Sequence, residues 1–591
     1  MSNTLQSKLP PGPAFIVSHV LSWTAGYATS VAVVHIGANA VGAHVSVWAT
    51  IAASAIALPI MVYVRSESRY RREKRSAVAL GATLAPNVSG KKPLGMDIIS
   101  ALTEAHDTGY IGDGVVDWTT KHGQTIDMRY MGASHILTLE PQYIKIVLST
   151  GFEDYEKGEV FRDVWGSLLG TGVFNSDGEM WKFHRSITRP FFSRDRISDF
   201  EIFDRHADLA ISKLKERSRQ GIAVNIQDLL SRFTMDTATE FLFGQDVKSL
   251  SGELPYPSTY EGHVTLRGHP SDKFTTAFTR AQECTFPRGF LGKAWRLFEF
   301  WEDKVATQRG ITNEFIDPLV HEALQKKRNA KEAHEAGDDD DETLLDHLVK
   351  QTEDFDIIRD EALNILLAGR DTTASLATFV MTMLADHPHV LARLREEVSN
   401  TLGPNGKVNH ENVREMKYLR AVLNETLRLY PSVPWNVRST KKDVVWPGLN
   451  GEKPVYVPGG TQIHYLPWLF QRRKDLWGPD AEEFDPDRFL DERVKKYLVV
   501  DPFIFLPFNA GPRICLGQQF AYNETSVIVV RLVQAFKGIS LDMDSNPESK
   551  PPAAWALGEG RRTVEKVWVR SDVTLYSNGG VWVKMQEADT E

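Results

Sequence analysis

The stretch LPFNAGPRICLGQQFAYNE, residues Leu506–Glu524, contains one of only two cysteines in a chain of 591 residues. Two prolines and a glycine precede the cysteine, and they disfavour regular structure and favour tight turns. After Gly517 the run QQFAYNETSVIVVRLVQAF carries apolar residues at helical spacing, which predicts a helix. Cys515 is therefore expected in a loop that opens onto a helix N-terminus, where backbone N–H groups and the helix dipole would stabilise a thiolate.

The composition is that of a globular protein, with 42% hydrophobic and 25% charged residues. A net charge of −9 and a pI near 6.1 give no electrostatic case for nucleic-acid binding. The two cysteines, Cys284 and Cys515, cannot form a disulfide framework or a multi-cysteine zinc site. Cysteine this scarce fits a reducing compartment.

The N-terminus is predicted to be a membrane anchor, because no charged residue lies between Lys8 and Arg65. The apolar blocks Phe15–Val34 and Val41–Val64 in this tract each reach the roughly 20 residues that cross a bilayer as a helix. The following segment RSESRYRREKR has six basic and two acidic residues, which places this flank in the cytosol. We therefore expect an anchor of one or two transmembrane helices over residues 1–64 and a basic linker over 65–95. A buried hairpin of core helices is the alternative.

Residues 96–591 are expected to form one large, mainly α-helical domain with small β-sheets. The segment TIDMRYMGASHILTL alternates as short strands do, and the region from about Pro141 to Leu429 is mostly helical in pattern. The acidic stretch from Arg328 to Glu342 predicts a solvated loop. The sequence contains no internal repeat and no second linker.

The spacing F-x-x-G-x-R-x-C-x-G around the cysteine is met by Phe508, Gly511, Arg513, Cys515 and Gly517. It resembles the haem-binding loop of the cytochrome P-450 family of haem-thiolate monooxygenases. The resemblance implies one haem b with Cys515 as the proximal iron ligand, which pushes electron density towards O–O cleavage. It also implies that Arg513 pairs with a haem propionate and that Phe508 packs beside the thiolate, with Gly517 in the same loop. The alternative for a lone cysteine is a small buried hydrophobe.

A second match is YLRAVLNETLRLYPSVPWNVR, in which Glu425 and Arg428 share one helix face at i and i+3. The leucines around them predict a buried helix, where a carboxylate and a guanidinium must satisfy one another. The family's E-x-x-R motif is similar, and its farther arginine would be Arg488 in FDPDRF. We interpret these three residues as a structural clamp behind the haem. The resemblance makes Arg438 a second propionate ligand.

A third match is MWKFHRSITRPFF, which places Trp181 and Arg185 one turn apart on a single helix face. In the family such a W-x-x-x-R pair reaches a haem propionate, and charge-assisted pairs of this kind are the strong ones. Ordinary packing is the alternative for Trp181.

The fourth match lies in the apolar segment ILLAGRDTTASLATFVMTMLADHP, whose middle is polar and contains a helix-weakening Gly369. Close packing of small residues is one interpretation. The family's oxygen-binding groove, (A/G)-G-x-(D/E)-T, is similar to Ala368, Gly369, Asp371 and Thr372. The resemblance implies that Asp371 is a gated proton source and that Thr372 donates a hydrogen bond to the iron-bound dioxygen during its activation.

The resemblance further implies electrons from NADPH through a membrane-bound cytochrome P-450 reductase, with cytochrome b5 as an additional candidate, because the chain carries no nicotinamide or flavin fingerprint of its own. The expected location is the endoplasmic reticulum membrane with the catalytic domain in the cytosol. Basic residues that could contact the reductase are Lys182, Arg189, Arg472, Arg473 and Lys474.

The substrate is expected to be apolar and dissolved in the membrane lipid. The motifs AGRDTTA and FNAGPRICLGQQFAYNE look most like those of fungal enzymes that hydroxylate n-alkanes and fatty acids. Ser432–Trp435 and Ala368 are expected to border the substrate. Alternatives are oxidation of polycyclic aromatics or other xenobiotics, a haem-thiolate isomerase or dehydratase, a haem protein without catalysis, and a membrane scaffold without cofactor.

Overall fold

The protein is described by a computed structural model that covers residues 9–40, 42, 46–88, 90, 92–192, 200–262, 268–333, 343–403 and 406–589. Numbered in chain order, the helices are α1 (Pro11–Ala40), α2 (Val47–Ala79), α3 (Met96–Asp107), α4 (Val115–His122), α5 (Pro141–Lys145), α6 (Glu159–Leu169), α7 (Gly178–Thr188), α8 (Phe200–Arg219), α9 (Ile226–Phe243), α10 (Pro270–Thr285), α11 (Arg288–Leu291), α12 (Trp295–Phe298), α13 (Lys304–Ala333), α14 (Leu344–Gln351), α15 (Phe355–Asp386), α16 (Pro388–Leu402), α17 (His410–Glu415), α18 (Lys417–Leu429), α19 (Pro467–Phe470), α20 (Lys474–Trp477) and α21 (Gln518–Ala535).

The strands are short and form four small sheets. In chain order they are β1 (Thr125–Asp127), β2 (His135–Thr138), β3 (Tyr155–Glu156), β4 (Val224–Asn225), β5 (Asn436–Thr440), β6 (Val444–Trp446), β7 (Val455–Val457), β8 (Gln462–Tyr465), β9 (Phe536–Leu541), β10 (Val569–Ser571), β11 (Leu575–Ser577) and β12 (Trp582–Glu587). The largest sheet has the order β1-β2-β8-β5-β3, and only its β2–β8 pair is parallel. The predicted class, mainly α with small sheets in one large domain, is confirmed, and TIDMRYMGASHILTL supplies β1 and β2 as expected.

Helix α15 runs through the middle of the helical core. Most of its length is buried, and the buried residues include polar ones such as Glu361 and Asn364 as well as apolar ones. It packs against α9, α18 and α21. The large sheet has its own hydrophobic cluster, which includes Ile126, Leu137 and Ile463.

The N-terminal helices α1 and α2 pack against each other. Apolar side chains along them are exposed, among them Ile36 and Trp48, so the alternative of a buried core hairpin is wrong for the described residues. One or two membrane-spanning helices were expected here. Among the described residues, no helix combines the length and the apolar run that a bilayer crossing requires.

The segment expected as a basic linker is helical over its first half, because α2 continues to Ala79. Glu73 in this segment is buried and accepts a hydrogen bond from the Arg129 guanidinium at 2.5 Å. Ala77 is also buried and contacts a cluster that includes Tyr456. The second half of α2 therefore packs on the domain through an ion pair and apolar contacts.

Candidate active site

The cysteine loop has the predicted structure, an irregular turn that leads into α21. Gly511 adopts φ of 70°, and a Cβ there would lie 1.8 Å from the carbonyl oxygen of Leu148, so only glycine fits. The Cys515 N–H donates to the Phe508 carbonyl at 3.0 Å, which closes the turn. The Gly517 N–H donates to the Cys515 sulfur, and α21 starts at the next residue.

The ionisation of Cys515 differs from the expectation. Desolvation by the surrounding protein raises the pKa of the Cys515 thiol, and the Gly517 N–H and the Arg185 charge offset this only in part. The helix N-terminus therefore does not make a thiolate by itself. A metal ion deprotonates a coordinating thiol outright, so this cysteine suits a metal ligand better than a free nucleophile.

A cavity of 410 Å³ lies between the cysteine loop and α15. Cys515 and Gly517 line one side, and Gly369 and Thr372 of α15 line another. Its volume is in the range of small-molecule and cofactor sites. The cavity brings the cysteine loop and the polar middle of α15 to one place, although more than 140 residues separate them in the sequence.

Four cationic side chains line the cavity near the cysteine, namely Arg185, Arg438, Arg513 and Lys157. Arg513 pairs with Asp177 at 2.8 Å, whereas within the described residues no carboxylate pairs with the other three. Desolvation and the charges of Arg438 and Arg513 lower the pKa of Lys157 well below its ordinary value. Partly buried cations without carboxylates fit a group that brings its own, and haem b carries two propionates.

Arg513 and Trp181 are neighbours in the wall, with the guanidinium carbon 4.4 Å from the ring centroid. The Nε of Arg513 is buried and lacks a hydrogen-bond partner, so a donor is left for a ligand. Desolvation, with the nearby Arg438 charge, lowers the pKa of Arg513 to about 10. Arg438 in β5 is 4% exposed and donates to the Val437 carbonyl at 2.8 Å.

Arg185 is in the cavity wall one helical turn from Trp181, as predicted. Its guanidinium donates to the Ile514 carbonyl at 2.7 Å, so in this structure it supports the cysteine loop directly. Phe508 packs on Tyr522 of α21 with the ring centroids 5.1 Å apart. Arg185 and Phe508 both line the cavity next to Cys515.

Thr372 faces the cavity from α15, and its hydroxyl donates to the Ala368 carbonyl at 2.6 Å. The Ser432 hydroxyl donates to the Thr372 carbonyl at 2.9 Å, which takes up an acceptor in the middle of the helix. A Cβ on Gly369 would meet nothing nearer than Ala238 at 3.9 Å. The glycine is therefore not needed for close packing, and the alternative interpretation of this segment is wrong at that position.

Asp371 does not line the cavity with Thr372. It faces a second, polar cavity of 310 Å³ on another side of α15, where it pairs with Arg370 and its Oδ2 is buried without a partner. Thr372 and Thr373 line the cavity of the cysteine, whereas Arg370 and Asp371 lie on another side of α15, which turns by about 100° per residue. The structure places the predicted acid and alcohol side by side on the helix but in different cavities.

The predicted clamp is present. Arg428 donates to Glu425 at 2.7 Å, and Arg488 reaches the same carboxylate at 3.4 Å. All three side chains are essentially inaccessible to solvent. The remaining guanidinium donors of Arg428 bind backbone carbonyls, including that of Gln471 at 2.9 Å, so the buried charges are fully compensated.

The prediction that Arg472 contacts the reductase is wrong. Arg472 is buried, its guanidinium stacks 3.5 Å from the Trp468 ring centroid, and it donates to the Leu429 carbonyl at 3.0 Å. An arginine held in this way cannot meet a partner protein. Arg473 is also mostly covered and pairs with Asp475 and Glu140. The three exposed candidates are Lys182, Arg189 and Lys474.

The expected substrate-bordering residues do line the cavity, since Ala368 and Ser432–Trp435 are part of its wall. Sequence reasoning missed most of the remaining wall. Its aromatic side chains are Tyr130, Phe161, Trp165, Phe174, Phe192, Phe241, Phe286, Phe290 and Phe520. It also missed Lys157, which lies in an ordinary-looking segment, FEDYEKGEV. No local signal marks these residues, because only the fold brings them to the cysteine.

A cysteine at a helix-opening loop, unpaired cations beside it and a hydroxyl-bearing helix opposite define the haem-thiolate class of protein. The family model described as Cytochrome P450 matches residues 96–562. The chain therefore belongs to the cytochrome P450 family.

Several fungal proteins are similar over most of the chain. Cytochrome P450 52E1 of Candida apicola is 39% identical over 465 residues, 76% of this chain and 84% of the relative. Cytochrome P450 monooxygenase himC of Aspergillus japonicus is 36% identical over 471 residues, 79% of this chain and 76% of the relative. A cytochrome P450 of Arthroderma benhamiae is 34% identical over 544 residues, 90% of this chain and 98% of the relative.

As a member of this family, the protein is a monooxygenase that binds haem b through an axial cysteine thiolate. It takes its electrons from a redox-partner reductase and acts on apolar substrates.

Proposed function

We propose that this monooxygenase hydroxylates a long-chain alkane or fatty acid, with Cys515 as the iron ligand. The observation that carries the proposal is the cavity itself, which has Cys515 on one side, Thr372 on another and aromatic side chains around the rest. The sequence motifs that resemble fungal alkane and fatty-acid hydroxylases support the same substrate class.

The haem would be held by residues of three segments, namely the cysteine loop, β5 and α7. Cys515 would ligate iron, Arg438 and Arg513 would bind the propionates, and Trp181 with Arg185 would support them from α7. Phe508 and Gly517 shape the space beside the sulfur and give it one hydrogen bond. When bound, the haem supplies the oxygen-activating chemistry, and the thiolate supplies electron density to it.

Thr372 and Asp371 would hold and transfer the protons that the reaction consumes. The Thr372 hydroxyl can hold a hydrogen bond inside the cavity, since it reaches only a helix carbonyl at present. Asp371 is kept apart by its pair with Arg370, and its unpartnered Oδ2 faces the polar cavity that water can fill. Proton transfer between the two cavities would then require Asp371 to leave Arg370 and turn towards Thr372.

This arrangement favours a monooxygenase over a haem protein without catalysis. Binding haem alone requires neither the Thr372 hydroxyl nor the Asp371 carboxyl, whereas proton delivery requires both. The test is turnover of alkanes and fatty acids with NADPH and a fungal reductase, in the protein and in Thr372→Val. We expect terminal alcohols from the protein, and product formation lower by about 10²-fold in the variant at unchanged haem content. Absence of product from any alkane or fatty acid, with aromatic compounds oxidised instead, would contradict the proposed substrate.

The electron donor and the location belong to the same proposal. NADPH–cytochrome P-450 reductase, with cytochrome b5 as an additional donor, would meet exposed basic residues such as Lys182 and Lys474. The uncharged tract between Lys8 and Arg65 supports attachment to the endoplasmic reticulum membrane with residues 96–591 as the cytosolic catalytic domain. Membrane flotation of the full chain and of a chain lacking residues 1–64 tests the attachment, and equal flotation of both would contradict it.

A further inference from the structure

The cavity beside Cys515 and the polar cavity on the other side of α15 share one segment of wall. The loop Asp572–Thr574, which joins β10 to β11, lines both cavities, and among the described residues it is the segment common to the two. Elsewhere α15 itself divides them, since Thr372 faces the first cavity and Asp371 faces the second. The loop therefore completes a partition that begins at the middle of α15.

The two cavities differ in how well they suit water. Four buried polar atoms of the polar cavity have no hydrogen-bond partner among the described residues, namely Nε of Arg370, Oδ2 of Asp371, Oγ of Ser375 and Oγ1 of Thr378. Buried polar atoms of this kind are satisfied by ordered water. The cavity beside Cys515 is instead lined largely by aromatic and aliphatic side chains, apart from the cations near the cysteine. Water is therefore favoured on one side of the partition and disfavoured on the other.

The reaction itself gives a reason to keep water out of the cavity beside Cys515. A monooxygenase uses two electrons and two protons per dioxygen, inserts one oxygen atom into the substrate and releases the other as water. If water reaches the reacting oxygen, dioxygen can leave with the same two electrons and two protons as hydrogen peroxide, and the substrate stays unoxidised. Exclusion of water from an active site suppresses side reactions of this kind.

Ser432 connects the loop to α15. Its hydroxyl donates to the Thr372 carbonyl at 2.9 Å, and its own carbonyl accepts from the N–H of Leu575, the residue after the loop, at 2.9 Å. Ser432 is buried in the wall of the cavity beside Cys515. At the other end of the loop, Oδ1 of Asp572 lies 3.1 Å from Nε2 of His106 in α3. The loop is thus held between α15 and α3.

We infer that the loop Asp572–Thr574 is a partition that keeps the water of the polar cavity away from the reacting oxygen, and that Ser432 is the positioning residue that holds it in place. The inference goes beyond the proposed function, because it applies to any apolar substrate of this monooxygenase. It takes only the probe, dodecane, from that proposal.

The test is Ser432→Ala in the full-length, haem-containing protein, with two measurements. Hydrogen–deuterium exchange of the Leu575 amide reports opening of the loop, and we expect it to be about 2–10-fold faster, as the loss of one hydrogen bond implies. The ratio of hydrogen peroxide to alcohol formed from dodecane, NADPH and a fungal reductase reports entry of water. We expect this ratio to rise by about the same factor, because water enters when the loop opens.

Ser218→Ala is the matched control. The Ser218 hydroxyl also donates to a backbone carbonyl, that of Met585 at 2.6 Å, and it lies outside the walls of both cavities. We expect this variant to leave the Leu575 exchange rate and the peroxide-to-alcohol ratio unchanged. Changes as large as those in Ser432→Ala would show a general loosening of the fold and would overturn the inference.

Val573→Ala tests the partition itself and decides the question if Ser432→Ala does not fold. It thins the loop between the two cavities and leaves both hydrogen bonds of Ser432 in place, so the peroxide-to-alcohol ratio should rise here too. An unchanged ratio in Val573→Ala, or an unchanged exchange rate in a folded Ser432→Ala, would overturn the inference. Absence of alcohol from the unaltered protein would contradict the proposed substrate instead, and the exchange of Leu575 would still test the role of Ser432.

Discussion

Two groups of arginines in this molecule differ in how their charges are satisfied. Arg428 and Arg488 share the buried carboxylate of Glu425. Backbone carbonyls and, for Arg488, the Asp480 carboxylate take their remaining donors. Arg438 and Arg185, beside Cys515, reach only backbone carbonyls, and among the described residues no carboxylate pairs with them. The first group is complete without a ligand. The charges of the second group are neutralised only when an anionic group binds, and the two propionates of haem b would supply it.

The largest expected effect is a loss of folding stability when Arg428 of the Glu425 cluster is replaced. Arg428→Ala leaves Glu425 buried and without its main partner, so the free energy of unfolding should fall by about 3–5 kcal/mol. Arg393→Ala is the matched control, because its pair with Asp487 is exposed and should contribute about 1 kcal/mol or less. Denaturant unfolding measures both. Equal losses in the two variants would mean that burial does not distinguish these pairs.

Glu524 is a buried carboxyl that, unlike Glu425, has no cationic partner among the described residues. Glu524 in α21 is inaccessible to solvent and accepts from Thr237, and burial raises its pKa to about 8. Because the folded state holds this proton more tightly than the unfolded chain, stability should fall as pH rises from about 4 to 8, by roughly 2–4 kcal/mol. Glu524→Gln should flatten this decline. The measurement is denaturant unfolding across that pH range, and identical slopes for both proteins would show that Glu524 titrates normally.

A smaller effect, on haem retention and not on folding stability, is expected when Arg438 beside Cys515 is replaced. Arg438→Ala removes a cation that has no carboxylate partner in the described structure, so the fold should lose little stability. Haem dissociation should accelerate by about 10–100-fold, since a charge-assisted hydrogen bond contributes about 1.5–3 kcal/mol. Transfer of haem to an excess of apomyoglobin measures the rate. Arg473→Ala, outside the cavity and paired with Asp475, is the control. A variant that unfolds yet keeps its haem tightly would reverse the assignment of the two groups.

The sequence predicts the parts of this site whose signal is local. The turn residues around Cys515, the start of α21, the buried E-x-x-R pair and the polar middle of α15 all follow from spacing and residue type. Each of these is fixed by backbone geometry within about ten residues. Local spacing is therefore enough to place them.

Other features depend on which way a residue faces once the chain is packed. Arg472 was expected at the surface, but the fold covers it with Trp468 and Tyr430. Asp371 and Thr372 are neighbours in sequence, yet packing around α15 separates them into two cavities. Lys157 carries no motif and reaches the site only through the loop before α6.

The central claim is that Cys515 ligates the haem iron. The most direct measurement is the reduced, carbon-monoxide difference spectrum of the purified protein, of Cys515→Ser and of Cys284→Ser. We predict the red-shifted Soret band of a thiolate-ligated haem in the protein and in Cys284→Ser, and its loss in Cys515→Ser. A red-shifted band that survives in Cys515→Ser, or an unshifted band in the unaltered protein, would contradict the assignment.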